Sequence, residues 1–193
     1  MSLRVADAMQ VTQTQLPGVL AIEPKVFGDP RGYFLETWQR ERYTEAGVRT
    51  EFVQDNLSRS QHGTLRGLHL QNPFAQAKLV QVFEGEVFDV AVDVRVGSPT
   101  FGRWVGERLS GANKRQLYIP EGFAHGFCVL SEEALLGYKC SELYHPETEL
   151  SIAWNDPELG IRWPVSDPVL SAKDKAGLRL ADVPRERLPR YTG

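Results

Sequence analysis

The chain has 193 residues, 41% of them apolar and 24% charged, with a formal net charge of −3. That is the composition of a soluble protein long enough to bury a sizeable core. No run of lysines and arginines argues for general nucleic-acid binding, and no apolar run is long enough to cross a bilayer. The two cysteines, Cys128 and Cys140, sit in apolar segments without CxxC spacing and read as buried free thiols. No signal-peptide pattern is present, so the expected location is the cytoplasm.

In chain order, short β-like runs follow one another from about residue 19 to 161. They are VLAIEPKVF (19–27), GYFLETW (32–38), FVQDNLSRS (52–60), GTLRGLHLQ (63–71), KLVQVFEGEVFDVAVDVRV (78–96), RWVGERLS (103–110), RQLYIP (115–120), HGFCVLS (125–131), ALLGYKCSELY (134–144) and ELSIAW (149–154). Turn residues punctuate them, as at Asp29-Pro30-Arg31-Gly32, Gly97-Ser98-Pro99 and Pro120-Glu121-Gly122. Helical signals are few: WQRERYTEAG (38–47) predicts a short helix stopped by Gly47, and SAKDKAG (171–177) a turn or two begun by an N-cap Ser171. The reading is one mainly β domain over 1–193, a double-sheet sandwich or barrel. Its core spans about 19–166, and an irregular tail runs from about 167 to 193.

The stretch GTLRGLHLQ places an arginine and a histidine on an otherwise apolar strand. Strict alternation puts Leu65, Gly67, His69 and Gln71 on one face and Arg66, Leu68 and Leu70 on the other. A histidine in such a place serves either as a satisfied interior group or as part of a site.

Two segments stand at the spacing of the cupin superfamily of double-sheet β-barrels, which this chain resembles. Its first motif falls on Gly63, His69, Gln71, Lys78 and Gly85, and its second on Pro120, Gly122 and His125, with Val129 where asparagine usually stands. Cupins hold a metal with three histidines and one carboxylate; here an amide and an ammonium take two of those four places. A protonated lysine has no lone pair to offer a cation, so no metal or other cofactor is expected.

Longer motifs narrow the resemblance. FVQDNLSRSQHGTLRGLHLQ, the run from Ala77 to Ser110, LYIPEGFAHGFCVLS, LLGYKCSELYHPETELSIAWNDPELGIRWP and LSAKD together resemble the dTDP-4-dehydrorhamnose 3,5-epimerase family over roughly residues 19–174. One departure is Leu70, where the family usually has tyrosine. The resemblance implies a cofactor-free epimerase that inverts C3 and C5 of dTDP-4-dehydro-6-deoxy-D-glucose, both carbons lying beside the C4 ketone. Such chemistry needs a base, a stabiliser of the enolate oxygen, and an acid on the other ring face. By resemblance these are His69 with its carboxylate partner Asp174, Lys78, and Tyr138. Contacts to the dTDP-sugar are assigned in the same way to Arg31, Glu36, Gln54, Asp55, Asn56, Arg66, Lys78, His125, Glu149 and Lys173. The family also implies a homodimer with exchanged N-terminal strands. A mono-epimerase acting at C3 or C5 alone, and a sugar-nucleotide-binding protein without turnover, are the competing readings; His69, Asp174, Lys78 and Tyr138 together argue against mere binding.

Overall fold

Alternating apolar residues along short strands give the molecule its layers. A computed structural model describes residues 8–192. Its strands are β1 (Met9–Gln13), β2 (Leu20–Pro24), β3 (Val26–Asp29), β4 (Gly32–Leu35), β5 (Gln54–Gln61), β6 (Leu65–Gln71), β7 (Lys78–Glu84), β8 (Glu86–Asp93), β9 (Trp104–Ser110), β10 (Gln116–Ile119), β11 (Phe123–Val129), β12 (Glu133–Cys140) and β13 (Glu149–Ser151). Short α-helices α1 (Arg40–Glu45) and α2 (Ala172–Lys175) accompany them. A six-stranded sheet runs β1-β2-β10-β7-β12-β5, a five-stranded sheet β13-β6-β11-β8-β9, and β3-β4 forms a separate hairpin. The mainly β, double-sheet expectation holds. Strand β1 lies ahead of the expected core, and the run 19–27 splits into β2 and β3, which belong to different sheets.

The space between the sheets is filled by Val80 and Val82 of β7, Val87 and Ala91 of β8, Leu117 and Ile119 of β10, Phe127 of β11 and Leu136 of β12. Each buried Val or Leu contributes about 1.5–3 kcal/mol. Strand alternation then places Lys78, two residues before Val80, and Tyr138, two residues after Leu136, on the same inner side. Tyr138 indeed packs against that cluster.

Parts of both outer faces are also covered. Leu79, Leu20, Ile22 and Tyr118 of the six-stranded sheet pack with Tyr43 and Val48 from the α1 segment. Val90, Val92 and Ala124 of the five-stranded sheet pack with Ile152, Leu159, Leu180, Val183 and Leu188, so the tail closes that face. Arg95 fastens the tail: its guanidinium lies 4.4 Å from the Phe123 ring centroid and 5.0 Å from that of Tyr191. Asp93 accepts from Arg95 Nε at 2.9 Å and Nη2 at 2.7 Å. The backbone of Val96 bridges that of Arg190 alongside.

Candidate active site

At one end of the intersheet space a cavity of about 600 Å³ opens, with side chains of β5, β6, β7, β11, β12 and the tail around it. His69 and Asp174 meet there, Nε2 to Oδ1 at 2.6 Å. Ser171 caps α2 and fixes the carboxylate twice over: its Oγ accepts from the Asp174 backbone N–H at 3.1 Å and donates to Asp174 Oδ2 at 2.6 Å. The Gly67 N–H donates to Oδ1 at 3.2 Å. Burial works to raise the Asp174 pKa, but the hydrogen bonds from His69 and Ser171 outweigh it and hold the carboxyl down to about 2. An ionised Asp174 accepting from Nε2–H sets the tautomer and leaves Nδ1 of His69 with its lone pair.

Alternation along β6 does not survive as read from the sequence. Arg66 pairs with Phe127 and His69 with His125, so three steps on β6 match two on β11. One extra residue on β6 reverses the parity and brings Arg66 and His69 to the same cavity. Glycine permits this close approach: a Cβ on Gly67, whose φ is +127°, would stand 2.5 Å from the Gly126 Cα.

Lys78 faces the cavity with Nζ 5.9 Å from the Tyr138 ring centroid, and has no ion-pair partner among the described residues. Burial pushes its ammonium below the usual lysine value, and burial likewise raises the Tyr138 phenol. His125 is held by a residue that the sequence reading missed: Nε2 lies 2.9 Å from both Oδ1 and Oδ2 of Asp89. The signal was available, because an aspartate two residues from Val87 and Ala91 on a core-facing strand must find a partner. Gln71 is fully occupied, donating to the carbonyls of Phe74 at 2.8 Å and Leu143 at 3.1 Å and accepting from the His145 N–H at 2.9 Å. Among the described residues no three His, Cys, Asp or Glu side chains converge as a metal cluster.

Of the remaining expected contacts, Gln54, Asn56, Arg66, Glu149 and Lys173 line the same cavity. Lys173 pairs with Glu149 at 2.8 Å, and Tyr144, which the sequence reading did not single out, donates to Glu149 at 3.1 Å. Arg31, Glu36 and Asp55 lie away from this cavity. Arg31 tips the exposed β3–β4 hairpin and pairs with Asp29 at 2.5 Å, Glu36 pairs with Arg42 of α1, and Asp55 points to the outer face against Lys139 at 3.0 Å. Leu70 borders the cavity and packs into the tail-covered cluster.

A two-sheet β fold enclosing a histidine–aspartate pair, a buried ammonium and a phenol is the framework of an acid–base enzyme. The family model described as dTDP-4-dehydrorhamnose 3,5-epimerase matches residues 13–182, and the chain belongs to this family. It is 57% identical over 176 residues to the dTDP-4-dehydrorhamnose 3,5-epimerase of Pseudomonas aeruginosa, covering 90% of this chain and 97% of that one. The crystal structure of the Legionella pneumophila dTDP-6-deoxy-D-glucose-3,5-epimerase with dTDP-4-keto-L-rhamnose superimposes with a TM-score of 0.93 at 56% identity, covering 96% of this chain and 100% of that one. A 4-keto-6-deoxy sugar epimerase from the novobiocin gene cluster of Streptomyces spheroides gives 0.90 at 44% identity, with 95% and 94% covered.

Proposed function

We propose that the chain inverts C3 and C5 of dTDP-4-dehydro-6-deoxy-D-glucose, giving dTDP-4-dehydro-L-rhamnose. The observation that carries this reading is the His69–Asp174 pair sharing one cavity with Lys78 and Tyr138. His69 Nδ1 takes the proton from the carbon beside the ketone, and the C–H electron pair moves into the enolate. Asp174 stabilises the imidazolium without taking its proton. Lys78 meets the negative charge that develops on the C4 oxygen, where a low-dielectric wall strengthens the attraction. Tyr138 returns a proton to carbon from the opposite ring face, and its phenolate recovers one from solvent or from the base between turnovers. Gln54, Asn56, Arg66, His125, Glu149 and Lys173 hold the nucleotide and sugar.

The working form in this reading is a homodimer with exchanged N-terminal strands. The β3–β4 hairpin supports it by exposing Val26, Phe27, Tyr33 and Phe34 together, an apolar surface that a second copy would cover. Arg31 and Glu36 would then serve the partner's cavity. Two buried, unpaired thiols suit the reducing cytoplasm.

The deciding experiment is incubation with dTDP-4-dehydro-6-deoxy-D-glucose in deuterium oxide, with the label located by NMR. Deuterium at both C3 and C5 is the expected result. Label and inversion at a single carbon would make the enzyme a mono-epimerase, and no label at either would reduce it to a binding protein.

A further inference from the structure

The inner face of β5 presents a row of polar side chains: Gln54, Asn56, Ser58 and Ser60. Three of them have partners. Gln54 Nε2 donates to Asn56 Oδ1 at 3.0 Å, Asn56 Nδ2 approaches Cys140 Sγ at 3.6 Å, and Ser60 Oγ accepts from Arg66 Nε at 3.1 Å. Ser58 breaks the row. Its Oγ is the one buried side-chain polar atom without a hydrogen-bond partner among the described residues.

A buried hydroxyl with no partner is a net cost that alanine at the same place would remove. Its surroundings say what it could serve. Ser58 stands opposite Leu136 and one inner position from Asn56, which faces Tyr138, so it borders the wall that carries the phenol. On its other side Ser60 anchors Arg66 through Nε alone, leaving the terminal guanidinium nitrogens without an ion-pair or hydrogen-bond partner among the described residues. One idle hydroxyl and one half-used guanidinium therefore border the same cavity, and what satisfies both at once is an anionic oxygen.

We infer that Ser58 is a further substrate-contact residue, its hydroxyl donating to a diphosphate oxygen that Arg66 also binds. The inference rests on the nucleotide-sugar reading of the cavity and adds to it a residue outside that contact set. Stability of the free protein is traded for affinity, a common arrangement at binding sites. Because the diphosphate does not react, the contact is made equally in the ground and transition states.

The test measures binding of inorganic pyrophosphate, dTDP and thymidine to the full-length protein by calorimetry, with thermal unfolding of the ligand-free form. Ser58→Ala should weaken pyrophosphate and dTDP about tenfold, as expected for a hydrogen bond to a charged group, and leave thymidine unchanged. It should raise the ligand-free Tm and raise KM with kcat retained, while Ser58→Thr, which keeps the hydroxyl, should preserve both anion affinities. Unchanged anion affinities in Ser58→Ala, or a lowered Tm, would overturn the inference. If the wild type takes pyrophosphate but not dTDP, the nucleotide reading fails, and the Ser58 effect on pyrophosphate alone still decides this point.

Discussion

His69 and His125 face each other across β6 and β11, and each is bonded to an aspartate, yet the two pairs are built differently. The His125 side chain is 7% exposed and Asp89 is fully buried, with one ring nitrogen shared between both carboxylate oxygens. Its partner comes from the adjacent strand β8, so sheet pairing alone assembles it. His69 keeps 22% exposure, and its carboxylate arrives from α2 in the tail, where Ser171 and Gly67 aim it. The nearly enclosed His125 pair fixes its ring in the cavity wall. In the proposed mechanism the more exposed His69 ring, with its externally delivered carboxylate, is the one that exchanges a proton with the substrate.

The sharpest way to break this contrast is to remove each ring in turn. His69→Ala should lower deuterium exchange at both carbons about a thousandfold, within the usual range for a positioned general base, and leave dTDP affinity nearly unchanged. His125→Ala should keep exchange measurable and act chiefly on KM. Equal losses of exchange in the two variants would erase the distinction.

Tyr138→Phe probes the other face of the sugar and should have a somewhat smaller effect, about a hundredfold on C5-inverted product. Deuterium should still wash in through His69, because only the returning proton is affected. Normal C5 inversion in this variant would mean that a different donor faces the base.

The smallest effect sharpens the comparison through acid stability. The Asp174 carboxyl is held at about 2 against an ordinary 3.8. A depressed carboxyl pKa contributes stability that is present in full above about 3.8 and is lost as pH falls through about 2. That contribution is about 2 kcal/mol. Asp174→Asn should lack this pH-dependent loss, so acid titrations of the two proteins monitored by circular dichroism should converge between about pH 4 and pH 2. Parallel titration curves would show that the carboxylate is not held as described.

Much of this was legible in the sequence, and the omissions have physical causes. Alternation marks the run that holds β7 and β8 and the one that holds β12, because a strand with one face in the core must repeat every two residues, but the division at Gly85 was not read. Ser171 announces α2, and the motif that begins at Gly63 marks His69, Gln71 and Lys78, which line the cavity. The parity of Arg66 was misread because a single extra residue in β6 is invisible to a period of two; Gly67 was the only hint. Asp89 was passed over inside FDVAVDV, where an apolar strand hides an acid that faces inward. Arg31 and Glu36 sit on or beside a hairpin projecting from their own chain, a placement that no local pattern encodes.

The delivery of Asp174 from α2, which follows the last strand in the chain, has a consequence for synthesis on the ribosome. Every strand of both sheets has been made once Ser151 emerges, and the cavity walls can close around His69 and Lys78. His69 still lacks its counter-charge until Asp174 is added, and the segment bearing Asp174 is pinned on both sides by backbone bridges, Thr64 to Val169 and Ile152 to Leu178. The two sheets can thus be in place on a nascent chain before the His69–Asp174 pair exists, the pair being completed only when α2 and its flanking bridges follow.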